Sequence, residues 1–439
     1  MRKKRVIMAS TVLAAACLSS ACAGKTAQQV AAREQYQNES SQEESNQMKN
    51  RNKNTAAQTE SASIDSYESV QKFGYELFGQ NLSDKNPVLS PVSAYLALAM
   101  AGCGAEGTTR DEFYSVLGSD MLPLSGDMMN TLPAQGKLLN LSIADSAWID
   151  NTFLVDDTWL GTIQSLMHAE AFTADLSAAA TMDQINDWIE DKTNGLIPQM
   201  LTEPLDARMK LVLFNTVYFK GRWQTPFMAS NTHKEEFYTH GKEESQLVDM
   251  MNLTAAELDY IANDFVEGVI LPYQPNSKSG GNLAFVALKP TGDEEIRTIY
   301  NALTSEVLAD ILVNRKTELV NLKLPKFEMT FDKNLNESLA NMGLRDCFDA
   351  GKANFDQIGQ AQSGENLYID LVRQKAKIIV DEEGTEAAAV TEVAMRCMGL
   401  MPDPDGVKEV YFNEPFLYII LDMDRELPLF VGILDNPVL

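Results

Sequence analysis

Residues Val380 to Pro404 read VDEEGTEAAAVTEVAMRCMGLMPDP. This stretch continues the strand-like apolar run Ile378–Val380, passes three acidic residues and reaches a glycine followed by small side chains. In an extended chain, alternate side chains lie on opposite faces. One face would carry small or apolar residues, namely Thr385, Ala387, Ala389, Thr391 and Val393. The other face would carry both glutamates, namely Glu386 and Glu392, with Ala388 and Val390. The pattern predicts a strand with one core-compatible face and one charged face.

The same stretch also fits a different conformation. Alanine is a good helix former and a poor strand former, so an amphipathic helix or an alanine-rich loop remains open. Gly384 adds backbone freedom where the small residues begin. We therefore expect a segment that is an exposed loop in one state and a strand of a crowded sheet in another.

The chain on either side of this stretch predicts an α+β fold. Its first half contains helical spacing of apolar residues at Ile64–Gln80, Pro91–Ala101, Thr109–Leu117 and Met182–Thr193. Its second half contains short apolar or alternating runs at Leu211–Phe219, Gly268–Tyr273, Leu283–Leu288, Leu319–Leu324, Val410–Phe412, Phe416–Asp422 and Leu429–Leu434. Helices followed by many strands are typical of α+β proteins rather than of a doubly wound sheet.

The N-terminal residues 1–22 have the pattern of a secretory signal peptide. A basic start precedes the apolar run Val6–Leu18, which is too short to span a bilayer permanently. Small residues then lead to Cys22, which resembles the lipidated cysteine of bacterial lipoproteins, although the leucine lies one position too early. Cys17 is a rival lipidation site. We expect a secreted, cell-surface lipoprotein of a bacterium, with plain secretion as the alternative.

Residues 23–62 are rich in Gln, Asn, Ser, Glu, Lys and Ala, with Tyr36 as their one aromatic residue. Such a segment cannot bury enough apolar surface to fold, so it predicts a disordered polar tether with a reach of roughly 35 Å. Residues 63–439 contain no second linker of this kind and predict one large domain.

The formal net charge of −26 disfavours nucleic acid and anionic lipid as partners of the folded surface. Membrane contact is therefore expected only through the lipid anchor.

Several familiar motifs of enzymes and cofactor sites are absent from this sequence or lack the structural context that they require. Gly102–Gly107 matches GxGxxG, but a helix rather than a strand is predicted before it, so the glycines are read as a helix end with Thr108 or Thr109 capping the next helix. The chain has three histidines and contains neither HExxH, GxSxG nor CxxC. We expect no metal, no cofactor and no enzymatic activity.

An ordered set of sequence blocks resembles the serpin family over nearly all of residues 63–439. These blocks are NPVLSPVS at 86–93, INDWI at 185–189, LFNTVYFKGRW at 213–223, LPKF at 324–327, MGLRDCF at 342–348, DEEGTEAAA at 381–389 and FNEPF at 412–416. The resemblance implies helices packed on three β-sheets with an exposed reactive-centre loop. It also implies a hinge formed by Glu382, Gly384, Thr385, Glu386, Ala387, Ala388 and Ala389.

The resemblance further implies a suicide-substrate inhibitor of serine proteases. The protease cuts the loop and forms a covalent acyl-enzyme complex, and the cut loop then inserts into the central sheet. Inhibitory members place the cut fourteen positions after the hinge glycine, which gives the bond between Met398 and Gly399 here. Methionine suits elastase-like or chymotrypsin-like proteases. Arg396 is a rival cut site that would recruit trypsin-like proteases.

A polar cluster is implied where the central sheet opens. Its members by resemblance are Ser90, Asn186, Gln374 and Trp223, and Gln374 stands where the family usually has histidine. Glutamine can still donate and accept hydrogen bonds, so the cluster should persist with altered strength.

We expect a monomer. The alternatives are a non-inhibitory serpin, a solute-binding lipoprotein, which explains the leader but not the hinge, and a hydrolase, which nothing in the sequence favours.

Overall fold

The computed structural model describes residues 67–438, with gaps at 84, 240–243, 278–280, 293, 362 and 386–405. The predicted signal peptide, both candidate lipidation sites, the tether and most of the predicted loop therefore lie outside the described residues. Within the described part, no helix is long and apolar enough to cross a membrane.

The described chain is a mixture of helices and strands, as the sequence predicted. The helices are α1 (Glu68–Gly79), α2 (Pro91–Gly102), α3 (Gly107–Leu117), α4 (Met121–Thr131), α5 (Asp157–Met167), α6 (Ala179–Lys192), α7 (Ile296–Ala302), α8 (Ser305–Val313) and α9 (Asn336–Met342). The first nine strands are β1 (Val88–Leu89), β2 (Leu139–Asp150), β3 (Phe153–Val155), β4 (Glu170–Ala174), β5 (Leu211–Arg222), β6 (His233–Thr239), β7 (Glu244–Ala262), β8 (Val266–Pro272) and β9 (Leu283–Pro290). The remaining strands are β10 (Lys316–Pro325), β11 (Phe327–Asn334), β12 (Gly359–Ala361), β13 (Ile369–Val380), β14 (Gly384–Thr385), β15 (Lys408–Tyr411), β16 (Phe416–Asp422) and β17 (Leu427–Leu434).

The strands of the described residues form three sheets, which is the number that the resemblance implied. The six-stranded sheet, called the central sheet below, has the order β11-β13-β14-β5-β2-β4. A nine-stranded sheet runs β1-β17-β16-β9-β8-β7-β10-β15, with β6 paired to β7. A small third sheet pairs β12 with β3.

Helix α2 is enclosed by strands and by other helices, and it positions part of the candidate site. Its sequence PVSAYLALAMAG is apolar all round, and every one of its residues is buried, as expected for a helix covered on all sides. It contacts β2, β5 and β17. Pro91 begins the helix, where its missing N–H breaks no helical hydrogen bond. Ser90 and Ser93 are thereby held against the central sheet.

The opposite face of the central sheet is covered by α6. Trp148, Val212 and Phe214 of the sheet belong to one apolar cluster with Ile185 and Trp188 of the helix. This cluster also receives residues of the chain that follows the helix. The two faces of β2 and β5 therefore meet different surroundings, with α2 on one side and α6 on the other.

The glycine-rich turn after α2 differs in one detail from its prediction. Helix α2 ends at Gly102 as expected, but α3 begins at Gly107 with Glu106 at its N-cap. The prediction of a threonine cap is therefore wrong. Thr109 is buried, and its side-chain oxygen accepts a hydrogen bond from the backbone N–H of Asn354 instead.

Candidate functional site

The central sheet is joined at one end and parted at the other. Strands β5 and β13 pair directly and in parallel from Ile369↔Leu211 to Lys375↔Thr216. Further along, the two-residue strand β14 lies between them and is antiparallel to both. Thr385 is opposite Gly221 on one side and Val380 on the other. The first two residues of the small-residue stretch thus already occupy a place in the sheet.

Two glycines allow this close approach of three strands. A Cβ atom on Gly384 would lie 1.9 Å from the carbonyl oxygen of Gly221 and 2.9 Å from Cα of Arg222. A Cβ atom on Gly221 would lie 2.6 Å from the ring of Tyr273. A side chain at 384 would push β14 away from β5, and one at 221 would displace the ring of Tyr273, so glycine is needed here for space.

Thr385 is packed into the interior beneath the parted end of the sheet. Its side chain is buried, and its Oγ1 lies 2.6 Å from the hydroxyl oxygen of Tyr273. The ring of Tyr273 stacks on Trp223 with centroids 4.8 Å apart. Burial raises the pKa of Tyr273 well above its usual range, and the hydrogen bond with Thr385 opposes this only in part. The phenol is therefore neutral and pairs with Thr385 as one hydroxyl with another.

The chain reverses direction between β13 and β14 in a tight turn, Asp381–Gly384, called the hinge turn below. The backbone N–H of Asp381 donates to the carbonyl of Gly384 at 2.9 Å. The Asp381 carboxylate accepts from the backbone N–H groups of Glu383 and Gly384 at 2.9 and 3.2 Å. Burial raises the pKa of Asp381 above its usual value, and these two donors oppose the rise only in part. The side chain therefore fixes the turn from within.

Trp223 and Phe227 hold the hinge turn from outside. The indole N–H of Trp223 donates to the carbonyl of Asp381, and its backbone N–H donates to the carbonyl of Glu383, both at 2.9 Å. The backbone N–H of Phe227 donates to the carbonyl of Glu382. Each carbonyl of the turn between Asp381 and Glu383 is thus fixed by a donor from the chain after β5.

Glu382 ties the hinge turn to two neighbouring segments by its side chain. Its carboxylate lies 2.7 Å from Nζ of Lys326 and accepts a hydrogen bond from the hydroxyl of Thr232 at 2.8 Å. Burial by itself raises the pKa of Glu382, but the hydrogen bonds from Lys326 and Thr232 and from its own backbone N–H prevail and hold this pKa below its usual value. Beside it, Arg222 and Glu383 form an ion pair at 3.1 Å.

Gln374 bridges the sheet and α2 at the point where β5 and β13 still pair. Its Oε1 accepts from the backbone N–H of Ser90 at 2.9 Å, and its Nε2 donates to the carbonyl of Ser90 at 2.9 Å. The same Nε2 donates to Oδ1 of Asn215 at 3.2 Å. Gln374 and Asn215 lie directly opposite each other in the β13–β5 pairing. Separation of the two strands must break this bond.

The cluster around Gln374 is not the set that the sequence implied. Ser93 also donates to Oδ1 of Asn215, and Nδ2 of Asn215 donates to Asp145 on β2. We call the five residues Ser90, Ser93, Asp145, Asn215 and Gln374 the Gln374 cluster.

Asn186 and Trp223 lie elsewhere, so their assignment to this cluster is corrected. Asn186 is on α6, where its side chain accepts from the backbone N–H groups of Met200 and Leu201 at 2.8 Å and donates to the carbonyl of Leu201. Trp223 belongs to the hinge turn. The sequence could have predicted Asn215 as a member of the cluster. It is the one amide side chain within the apolar strand LVLFNTVYF, and a buried amide needs hydrogen-bond partners.

The remaining predicted site residues lie in the loop outside the described residues. They are Glu386, Ala387, Ala388, Ala389, Arg396, Met398 and Gly399. Within the described part of the chain, no group of three or more His, Cys, Asp or Glu side chains is arranged to hold a metal ion.

Comparison with known proteins identifies the family. The family profile described as serpin (serine protease inhibitor) matches residues 68–437. An uncharacterized serpin-like protein of Thermococcus kodakarensis is 30% identical over 84% of this chain and 85% of its own length. Human alpha-1-antichymotrypsin is 30% identical over 86% of this chain and 88% of its own. The thermophilic serpin tengpin in its native state superposes with a TM-score of 0.77 and 33% identity, over 84% of this chain and 94% of that one; its latent state gives 0.69. The fold, the parted central sheet and these relatives agree, and the chain belongs to the serpin family.

Proposed function

We propose that this protein is a suicide-substrate inhibitor of serine proteases and not an enzyme. The observation that carries the proposal is the position of β14, because the start of the loop already lies between β5 and β13. A protease that cuts the loop would release its N-terminal side to continue along the same path. The direct pairs between β5 and β13 would then be replaced by pairs with the new strand.

The register of β14 tells which loop residues would face the interior. Extending the antiparallel pairing beyond Thr385 brings Ala387 opposite Phe219 and Ala389 opposite Val217. Because strand side chains alternate, both alanines would point to the same side as Thr385. Small side chains suit this side, since the sheet is closely packed against α2.

The same register extends to the Gln374 cluster. Thr391 would lie opposite both Asn215 and Gln374, on the face of the cluster. Its hydroxyl would take the place of the hydrogen bond that insertion breaks. About fifteen inserted residues that gain ladder hydrogen bonds at roughly 1 kcal/mol each suggest a driving force on the order of 10 kcal/mol.

The proposed cut lies between Met398 and Gly399. The serine oxygen of the protease bonds to the carbonyl carbon of Met398 while the bond to the nitrogen of Gly399 breaks, and the released amino group takes up the proton. Insertion then carries the acylated protease away before water completes hydrolysis. Methionine favours chymotrypsin-like or elastase-like targets, and similarity to a protein named alpha-1-antichymotrypsin supports the first of these. A cut after Arg396 would instead recruit trypsin-like proteases.

A gel assay tests the inhibitor proposal. The full chain is incubated with chymotrypsin, elastase and trypsin in turn, and the products are analysed on denaturing gels and by mass spectrometry. We expect a boiling-resistant band at the summed mass of inhibitor and protease, together with a released peptide that begins at Gly399. Cleavage that gives no such band with any of the three proteases would indicate a non-inhibitory serpin. A released peptide that begins at Cys397 would show that the cut follows Arg396.

We also propose that the folded domain is held at a bacterial cell surface by a lipid on Cys22, through the tether 23–62. Labelling with a radioactive fatty acid tests this in the wild type and in the variants Cys22→Ser and Cys17→Ser. We expect loss of label in Cys22→Ser alone. Loss in Cys17→Ser alone would move the anchor, and absence of label in the wild type would indicate plain secretion.

A further inference from the structure

A carboxyl group is buried in the Gln374 cluster, next to Asn215. Asp145 lies on β2 directly opposite Asn215 on β5, and 2% of its surface is exposed. Its Oδ1 accepts a hydrogen bond from Nδ2 of Asn215, whereas its Oδ2 is buried and makes no hydrogen bond within the described residues. An ionised carboxylate with one neutral partner is poorly stabilised in such a place.

The elements packed on this side bring no positive charge to Asp145. Helix α2 contains no charged residue, and its one titratable group, Tyr95, donates its hydroxyl to the carbonyl of Leu117. Strand β5 has no charged residue from Leu211 to Phe219, and its titratable group there is Tyr218. On β2 itself, the residues Ile143–Ala147 include no other charge.

The charges nearest to the cluster on other strands have partners of their own. Arg373 and Lys375 flank Gln374 on β13, point to the opposite face and both pair with Asp332. On β4, Glu170 lies 2.6 Å from Nζ of Lys192 and accepts from the indole N–H of Trp188. None of these groups hydrogen-bonds to Asp145, so among the described residues the neutral amide of Asn215 is the one side chain that donates to its carboxyl group.

Asp145 is nevertheless connected to the two strands that must separate. Its partner Asn215 uses the amide N–H₂ toward Asp145 and the amide oxygen toward Gln374 and Ser93. The bond from Asp145 therefore fixes the orientation in which Asn215 can accept from Gln374 across the β5–β13 pairing. A change at Asp145 reaches the strand junction through one intervening side chain.

We propose that Asp145 is a proton-controlled lock on the central sheet, whose neutral carboxylic acid keeps β5 and β13 paired and whose ionisation promotes their separation. The neutral acid places no uncompensated charge in the interior. The ionised carboxylate becomes hydrated when the cluster opens to water, so ionisation favours the parted sheet.

The direction of the pH effect follows from linkage. Burial raises the pKa of Asp145 to about 7 from the ordinary 3.8, against the opposing hydrogen bond from Asn215. Because the closed sheet binds this proton more tightly than an open one, the stabilisation is present at low pH and is lost as the pH rises through about 7. If the open state has the ordinary pKa, the opening equilibrium rises about tenfold between pH 6 and pH 8 and then levels off.

Hydrogen exchange of the full chain tests the lock without any protease. Exchange is followed by mass spectrometry in peptides covering 211–219 and 369–376, corrected for intrinsic rates, under conditions where it reports the opening equilibrium. We expect about a tenfold rise in opening from pH 6 to pH 8 in the wild type and less than a twofold change in Asp145→Asn. The control is Asp150→Asn, which removes a carboxylate from the same strand outside the cluster and should keep the wild-type response.

Infrared spectroscopy supplies a second readout. The wild type should show a carboxylic-acid band at pH 6 that fades by pH 8 and is absent in Asp145→Asn. A pH response that persists in Asp145→Asn, or no response in the wild type, would overturn the proposal. If Asp145→Asn does not fold, Asp145→Ser replaces it, and a wild type without a titrating acid band between pH 6 and pH 8 overturns the proposal on its own. The inference uses the sheet opening of the proposed function, but a failed gel assay and a failed exchange experiment are separate outcomes.

Discussion

At the residue scale, Thr385 shows most directly how a single side chain fits the mechanism. It is 1% exposed and its hydroxyl meets that of Tyr273, so the space around it accepts a small side chain only. In Thr385→Arg, an unpaired guanidinium would have to be buried at a cost of several kcal/mol. We expect this variant to be cut at the wild-type bond but to form at least tenfold less covalent complex on denaturing gels. Thr385→Ser is the control and should retain the complex; a stable complex with Thr385→Arg would contradict this role.

Gly384 supports a prediction about the space between the strands. In Gly384→Ala, the new methyl group would clash with the carbonyl oxygen of Gly221. We expect β14 to leave the sheet, with a loss of about 1–3 kcal/mol in the free energy of unfolding and faster exchange of the amides at 384 and 385. Gly406→Ala is the matched control, because a Cβ there meets nothing within 4 Å. Equal effects of the two substitutions would show that the close approach is unimportant.

The bonds of Glu382 make the hinge turn sensitive to acid. Because its folded pKa is lowered from the ordinary 4.5, its stabilisation is present above that pH and is lost as the pH falls through the folded value. We expect exchange at the hinge turn to rise when the pH is lowered from 5 to 3, and this rise to be weaker in Glu382→Gln. A similar acid response in the two proteins would assign the effect to other carboxylates.

Among the helices and strands, those with an uninterrupted run of apolar residues were predicted from the sequence alone. Helix α2 and strand β16 were expected within one residue of their observed bounds, because apolar residues run through them without interruption. Strand β2 was missed because two polar residues, Asp145 and Ser146, interrupt its apolar pattern although both are buried. The alternation that starts at Thr385 predicts a strand, but the position of β14 between β5 and β13 depends on contacts that no local pattern shows. Asn186 was misassigned although the sequence distinguishes the two residues, since Asn215 is the amide within an apolar strand and Asn186 is on a predicted helix.

The junction of β5 and β13 leads to a prediction for Gln374. In Gln374→Ala, the bonds to Ser90 and Asn215 are lost and buried polar groups remain without partners, which destabilises the native sheet by about 2–4 kcal/mol. We expect a lower thermal midpoint and faster exchange of residues 211–216 without any protease. Gln360→Ala, an exposed change on β12, should leave both unchanged. Unaltered exchange in Gln374→Ala would show that the cluster does not hold the strands together.

For the molecule as a whole, the proposed mechanism requires a native arrangement that is not the one of lowest free energy. Strands β5 and β13 pair along Ile369–Lys375, and the described residues of β14, Gly384 and Thr385, lie between them further along. In the proposed mechanism, an extension of β14 along this junction would replace the direct β5–β13 pairs with backbone hydrogen bonds to both strands. In the proposed mechanism, a cut in the loop frees this segment from the C-terminal strands, so that the strand can be completed.

Thermal unfolding of the intact and the loop-cleaved protein measures whether cleavage stabilises the fold. A driving force on the order of 10 kcal/mol predicts that the cleaved protein melts roughly 10–20 °C higher than the intact one. Mass spectrometry before heating must show one cut near residue 398 with both fragments still associated. A cleaved protein that melts at the same temperature as the intact protein, or lower, would contradict the proposed mechanism.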